Sequence, residues 1–268
     1  MRSEPVPPTP ELPPGNRIQP AHCETHGDYD QKVFPVLGRE LKSGCPECGR
    51  IIQEKADAAQ EANKAMETRM AMERKLGAAL IPKRFARKTL DGYVATTTGQ
   101  RKALATCRRY AAEFAQIAET GRCLLLLGKP GTGKTHLSVA IANEIMAKSS
   151  ATAVYRTIGA VLQAIRATYD HSSDQSESQI LSSLISPSLL ILDEIGVSKE
   201  KPSDFELTTL FAIINGRYEE LRPTVIVSNL DGQSLPAAIG ERCIDRLREG
   251  GVIVIPFEWE SQRGKEGF

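Results

Sequence analysis

The chain has 268 residues, enough for one large domain or one domain with a small appendage. It is 41% hydrophobic and 25% charged with a net charge of +1, so bulk charge makes no case for nucleic acid or membrane, and any DNA contact has to come from local basic patches. No apolar run approaches the roughly 20 residues of a bilayer span, and the opening MRSEPVPPTPELPPG has no apolar secretory core, so the default expectation is a cytoplasmic protein without a membrane partner.

Residues 1–20 crowd prolines among few apolar side chains. Such a segment buries too little surface to offset its ordering entropy and reads as a disordered arm. Residues 21–50 follow as a compact Cys/His unit. Cys23-x-x-His26 and Cys45-x-x-Cys48 form two knuckles separated by eighteen residues, spacing that suits a tetrahedral Cys₃His zinc site. His22 is an alternative ligand without the knuckle spacing. So short a segment cannot support its own core, and a metal would supply its folding energy; the bland alternative is four reduced, unligated side chains. The remaining cysteines, Cys107, Cys123 and Cys243, are scattered like small core residues of a reducing compartment.

Residues 51–82 read as a helical linker. From Ile51 to about Leu80 there is no proline, and Ala, Glu, Lys, Met and Gln dominate. Pro82 in IPKRF stops the helix. Met66, Met70 and the alanines 58, 62 and 65 mark either an exposed face or one that grips a partner. Lys83, Arg84, Arg87 and Lys88 form a basic cluster, which is either a solvated face or a track for a nucleic-acid backbone.

A further helix is expected from about Gly99 to Ala118. Short apolar runs then alternate with amphipathic stretches: CLLLL, TAVYRT, LLILD, TVIVSN and VIVIP. Continuous apolar strands separated by helices indicate a parallel sheet covered on both faces, so residues 85–260 read as one α/β domain with five strands.

The first of those strands runs into Gly128, Lys129, Pro130, Gly131, Thr132, Gly133, Lys134 and Thr135, a complete G-x-x-x-x-G-K-[ST] phosphate loop followed by His136 on a helix. The glycines let backbone N–H groups cradle the phosphates of ATP, and the helix adds its positive end. Lys134 reaches the β- and γ-phosphates, and the Thr135 hydroxyl ligates Mg²⁺. The strand LLILDE ends in two acids at the sheet's carboxyl edge, where such folds bind ligands. Asp193 is assigned to the metal, directly or through water, and Glu194 to the attacking water. Asn229, closing TVIVSN, is placed to hydrogen-bond that water or the γ-phosphate. In GERCIDRLREGG, Arg242 and Arg246 share a helix face. They are either solvated, paired with Glu241 and Asp245, or directed at a neighbouring subunit's γ-phosphate; Arg248 lies beside them.

With these blocks the chain resembles the DnaC-type helicase loaders of the AAA+ ATPases, whose close relatives are the IstB transposition ATPases. The resemblance runs from about Asn63 to Lys265 through IPKRFARKTLDGYV, GQRKALATCRRYAAEF, LLLLGKPGTGKTHLSVAIANEI, LLILDEIGV, GERCIDRLREGG and FEWESQR; the last two fit loaders better than transposition ATPases. It implies an AAA+ domain over residues 83–268, Walker A roles for Lys134 and Thr135, Walker B roles for Asp193 and Glu194, sensor I at Asn229 and an arginine finger at Arg246. Arg242 and Arg217 are implied as further interface arginines. It also implies ATP hydrolysis, delivery of a DnaB-type replicative helicase onto single-stranded DNA, helicase binding through residues 51–82, and self-association through the ATP sites. Thirteen residues follow Ile255, too few for the helical lid of ordinary AAA+ proteins. A neighbouring subunit is therefore expected to complete the pocket, with nothing in the chain itself obviously placed to neutralise the transition-state charge. The alternatives are a transposition helper acting on duplex DNA and a zinc-dependent adaptor with a slow nucleotide switch.

Overall fold

The computed structural model describes residues 16–36, 38–170, 174–196 and 201–263. Residues 1–15 of the expected arm lie outside them. Its last residues do not behave as an arm: Arg17–Cys23 form strand β1, paired antiparallel with β2 (Gly27–Val36), which pairs in turn with β3 (Arg39–Lys42). Pro20 is tolerated there because β1 is an edge strand, where a missing N–H breaks no ladder on the outer side. Helix α1 (Pro46–Ala78) begins five residues before the expected Ile51. Proline opens a helix readily, since the first N–H has no intrahelical partner, and the Gly49 N–H already bonds the Cys45 carbonyl.

The described residues up to Arg69 form one compact unit and those from Met70 another. The expected boundary at 82/83 is therefore too late. The last turns of α1 belong to the second unit, where Met72, Ala79 and Ile81 join its core. Lys75 donates to the Ser149 carbonyl at 2.6 Å, and the Tyr155 N–H bonds the Ala79 carbonyl at 2.8 Å.

The expected Gly99–Ala118 helix is two: α2 (Thr98–Ala112), opened by a capping box between Thr97 and Gln100, and α3 (Phe114–Thr120). Then follow β4 (Cys123–Gly128), α4 (Lys134–Lys148), β5 (Ala153–Thr157), α5 (Ile158–Ala167), α6 (Glu177–Ile185), β6 (Leu189–Ile195), α7 (Asp204–Glu219), β7 (Thr224–Ser228), α8 (Leu235–Ile239), α9 (Glu241–Glu249) and β8 (Val252–Phe257). The five strands pair in parallel in the order β5-β6-β7-β4-β8.

Alternation along the strands divides the core. Leu124 and Leu126 pack with α2–α4 on one face, and Leu125 and Leu127 with α5–α9 on the other. Truncating one of these to alanine costs about 2–5 kcal/mol. Among the described residues no helix is long and apolar enough to cross a membrane. Among the described residues no helix follows β8.

Candidate functional site

β4 lies inside the sheet between β7 and β8, while the chain leaving it crosses to the far edge at β5. That reversal opens a crevice at the strands' carboxyl ends. A cleft of about 810 Å³ fills it, lined by Pro130–His136, Asp193, Glu194 and Asn229. Gly128 and Lys129 lie behind it. Gly128 has φ 121°, and a Cβ there would stand 2.5 Å from the Phe257 carbonyl. Its glycine thus serves the approach of β8 rather than of phosphate. Gly133, at φ 95°, would drive a Cβ to 2.6 Å from the Tyr93 ring.

Helices α2, α5, α6 and α7 are capped by Thr or Ser hydroxyls; α4, starting from Gly133, has no side-chain cap. As at α3, α8 and α9, its first N–H groups are left without a side-chain acceptor, and at α4 they lie where a phosphate loop would offer them to an anion. Lys134 is 6% exposed and donates to the Gly128 and Lys129 carbonyls at 2.6 and 2.7 Å. Burial pulls its pKa down to about 8. The His136 ring, also driven toward neutrality by burial, donates to the Thr89 carbonyl at 3.0 Å and packs edge-on against Tyr93. His136 therefore lines the cleft but anchors the 89–93 turn.

The acids are separated by a bulge. Leu192 pairs with Ile226 and Ile195 with Ser228, so Asp193 and Glu194 together face Val227. Asp193 stays buried and accepts the Thr135 hydroxyl at 2.8 Å. Glu194 is exposed at φ 61°, and its N–H bends back to Asp193 Oδ1 at 2.7 Å. The bulge thus delivers one carboxylate beside the Thr135 hydroxyl and the other into the open cleft. A hydroxyl and a carboxylate are the hard oxygen donors that Mg²⁺ takes alongside nucleotide phosphates.

The C-terminal tail adds residues to the cleft. After β8 it turns back over the phosphate loop, where the Gln262 N–H bonds the Gly131 carbonyl at 2.8 Å and Trp259 Nε1–H bonds the Thr132 carbonyl at 3.0 Å. Gln262 and Arg263 line the cleft. Arg263 brings to the cleft a positive charge that the motifs did not assign; its only sequence signal was membership in FEWESQR. Arg84 and Lys88 of the basic cluster also line this cleft, beside Phe85 and Val94. A solvated face or a DNA track was expected there.

The other arginines divide. Arg246, half-buried on α9, donates to Asn215 Oδ1 and to Glu249, both at 3.0 Å, and stacks 4.9 Å over Tyr218. Its ion pair is with Glu249 rather than Glu241 or Asp245. It adjoins Gly121 and Thr224 at the strands' amino ends, the edge opposite its own phosphate loop. Arg242 is exposed, 6.0 Å over Phe211. Arg217 is no interface arginine: it is 1% exposed and donates to the carbonyls of Leu184, Ile185, Pro187 and Pro223.

In the N-terminal unit, the donor atoms of Cys23, His26, Cys45 and Cys48 lie within 4.8 Å of one another. Cys23 Sγ is 3.6 Å from Cys48 Sγ, and His26 Nδ1 is 3.3, 3.7 and 3.8 Å from Cys48, Cys23 and Cys45. Donors at zinc bond lengths around a tetrahedral centre stand roughly 3.4–3.8 Å apart, so the set fits zinc. Backbone N–H groups of Thr25 and His26 favour the Cys23 thiolate and lower its pKa to about 6.

The family of IstB-like ATP binding proteins matches residues 54–247. A replicative helicase loader DnaC of Buchnera aphidicola subsp. Acyrthosiphon pisum is 34% identical over 247 residues, 92% of each chain. That of Escherichia coli K12 is 32% identical over 243 residues, 88% of this chain and 93% of the relative. A crystal structure of the DnaC helicase loader superposes with a TM-score of 0.58 at 25% identity, over 66% of this chain and all of that one. The phosphate loop, the split acidic pair and the five-stranded parallel sheet agree with these likenesses, and the chain belongs to the DnaC/IstB family of AAA+ ATP-binding proteins.

Proposed function

We propose that the protein is an ATP-dependent loader that binds a DnaB-type replicative helicase and delivers it onto single-stranded DNA in the cytoplasm. The observation that carries this reading is that the likeness to replicative helicase loaders runs through almost the whole of both chains. A nucleotide in the cleft would meet the free N–H groups of α4, Lys134 and Arg263. Thr135 and Asp193 would hold Mg²⁺, which screens the phosphate charge. Glu194, exposed in the cleft, would orient and polarise the attacking water, with Asn229 lining the same cleft. Helix α1 exposes Ile52, Met66 and Met70 over 33 residues with none buried, which supports a helicase-gripping role. Tyr169, 62% exposed and 6.5 Å from the Phe205 ring that Arg166 covers, supports stacking of unpaired bases.

The test is a pull-down of the host's replicative helicase, followed by helicase transfer to a single-stranded circle. Capture should survive without hydrolysis, and transfer should require ATP. A chain that ignores the helicase but coats duplex DNA and stimulates a transposase would instead be the helper that the IstB-like match supports.

We further infer that zinc holds the N-terminal unit together through Cys23, His26, Cys45 and Cys48. Elemental analysis should find about one zinc per chain. Cys45→Ser or Cys48→Ser should lose it, and with it the folded signals of the β1–β3 sheet. A metal-free yet folded unit sinks the assignment.

A further inference from the structure

A buried hydroxyl reaches the Asp193 carboxylate from a strand that no motif includes. Tyr155 on β5 packs its ring in the core beside α4 and donates its hydroxyl to Asp193 Oδ2 at 2.9 Å. The register explains the choice of side chain. Tyr155 pairs with Ile191 and Thr157 with Asp193, so Tyr155 and Asp193 are diagonal neighbours on one face of the sheet. That diagonal spans roughly 7–8 Å between backbones, a gap that an aromatic ring bridges and a serine does not.

Asp193 is thereby held at three points. Oδ2 accepts both Thr135 and Tyr155, and Oδ1 accepts the Glu194 N–H. Burial, then the adjacent Asp193 charge, keeps the phenol protonated far above its ordinary range, so it acts only as a donor toward the carboxylate.

We propose that Tyr155 is a positioning residue of the nucleotide site: it fixes the plane of the Asp193 carboxylate, which keeps the Thr135 hydroxyl hydrogen on Asp193 and the Thr135 lone pairs turned to the metal of bound nucleotide. This rests on the magnesium–ATP reading above. Mg²⁺ demands near-ideal octahedral geometry, and losing a partner behind a metal-binding group typically weakens metal affinity about 10- to 100-fold. A phenol that merely satisfies the nearest acceptor would contribute to stability and nothing else.

The experiment compares ATP affinity with Mg²⁺ and with EDTA, by calorimetry, in the full chain and in Tyr155→Phe. In the unsubstituted chain Mg²⁺ should tighten binding; if it does not, the magnesium–ATP reading fails and Tyr155 is not at issue. In Tyr155→Phe the EDTA affinity should stay unchanged while the Mg²⁺ affinity falls roughly tenfold. An unaltered ratio, with or without a lower melting temperature, overturns the proposal. Adding Tyr155→Phe to Asp193→Asn should change nothing further, because the hydroxyl acts through that carboxylate. Additional loss of Mg²⁺-dependent affinity in the Asn background also overturns it.

Discussion

Asp193 and Glu194 are chemically alike and adjacent, yet the bulge opposite Val227 buries one and exposes the other. Their substitutions should therefore fail differently. Glu194→Gln leaves the Thr135–Asp193 contact intact, so ATP affinity should hold while turnover drops by about 10² or more. Asp193→Asn removes the acceptor charge that Thr135 faces, so Mg²⁺-dependent affinity should fall first. Calorimetry with single-turnover hydrolysis separates the two, and identical behaviour would mean that the bulge does not divide their roles. Lys134 adds a pH signature. Burial lowers its pKa to about 8, below the ordinary lysine value. Between that value and the ordinary one, the unfolded chain holds more protons than the folded one. The stability of the nucleotide-free protein should therefore rise with pH across that window. Phosphate needs the charged form, so ATP affinity should decline as pH rises through about 8, and near pH 9 binding should take up close to one proton. Calorimetry in buffers of different ionisation enthalpy reads that uptake; none at that pH would mean that Lys134 stays charged in the empty cleft.

Arg217 joins elements rather than subunits. It ties the end of α6, through Leu184, Ile185 and Pro187, to the start of β7 at Pro223 and Thr224, and burial lowers its pKa to about 9. Arg217→Met fills the space but leaves those carbonyls without a donor. It should cost about 2–4 kcal/mol, or roughly 5–10 °C in melting temperature, with ATP affinity unchanged. A cooperative melt at the native temperature would show the ties to be dispensable. Arg217 also marks what the sequence could not carry. Five strands, the phosphate loop and the acidic pair were legible because each is local: a run of apolar residues, a fixed spacing, two acids at a strand end. The same locality made the Cys/His knuckles readable, although Pro20 and Pro46 misplaced the borders around them. Whether an arginine points outward or caps a distant helix depends on contacts 30 or more residues away, as with Leu184 and Ile185. The tail that brings Arg263 over Gly131 is likewise a long-range fact, as is the hydroxyl that Tyr155 sends diagonally across the sheet.

At the scale of the assembled protein, the question is what meets the γ-phosphate from outside. Arg263 lines the cleft from its own chain. Arg246 stands at the opposite edge of the sheet and cannot serve its own site, which is the placement a finger for a neighbour requires. Its ties to Asn215 and Glu249 are half-exposed, and pairs of that kind hold by only about 0–1 kcal/mol, so release on assembly is cheap. A finger supplied in trans can raise turnover ~10³-fold or more. Free chains should therefore hydrolyse ATP slowly, and single-stranded DNA or the helicase should stimulate them by aligning subunits. Arg246→Ala should bind ATP normally and lose the stimulation. Mixing it with Glu194→Gln chains is the decisive arm. In an equal mixture roughly a quarter of the interfaces pair an intact Glu194 with a neighbour's intact Arg246, so the mixture should recover activity that neither variant has alone. If the mixture stays silent while each variant still assembles, Arg246 is not a finger for a neighbouring site. Normal stimulated turnover by Arg246→Ala would instead hand the role to Arg242, the exposed arginine one turn earlier on α9.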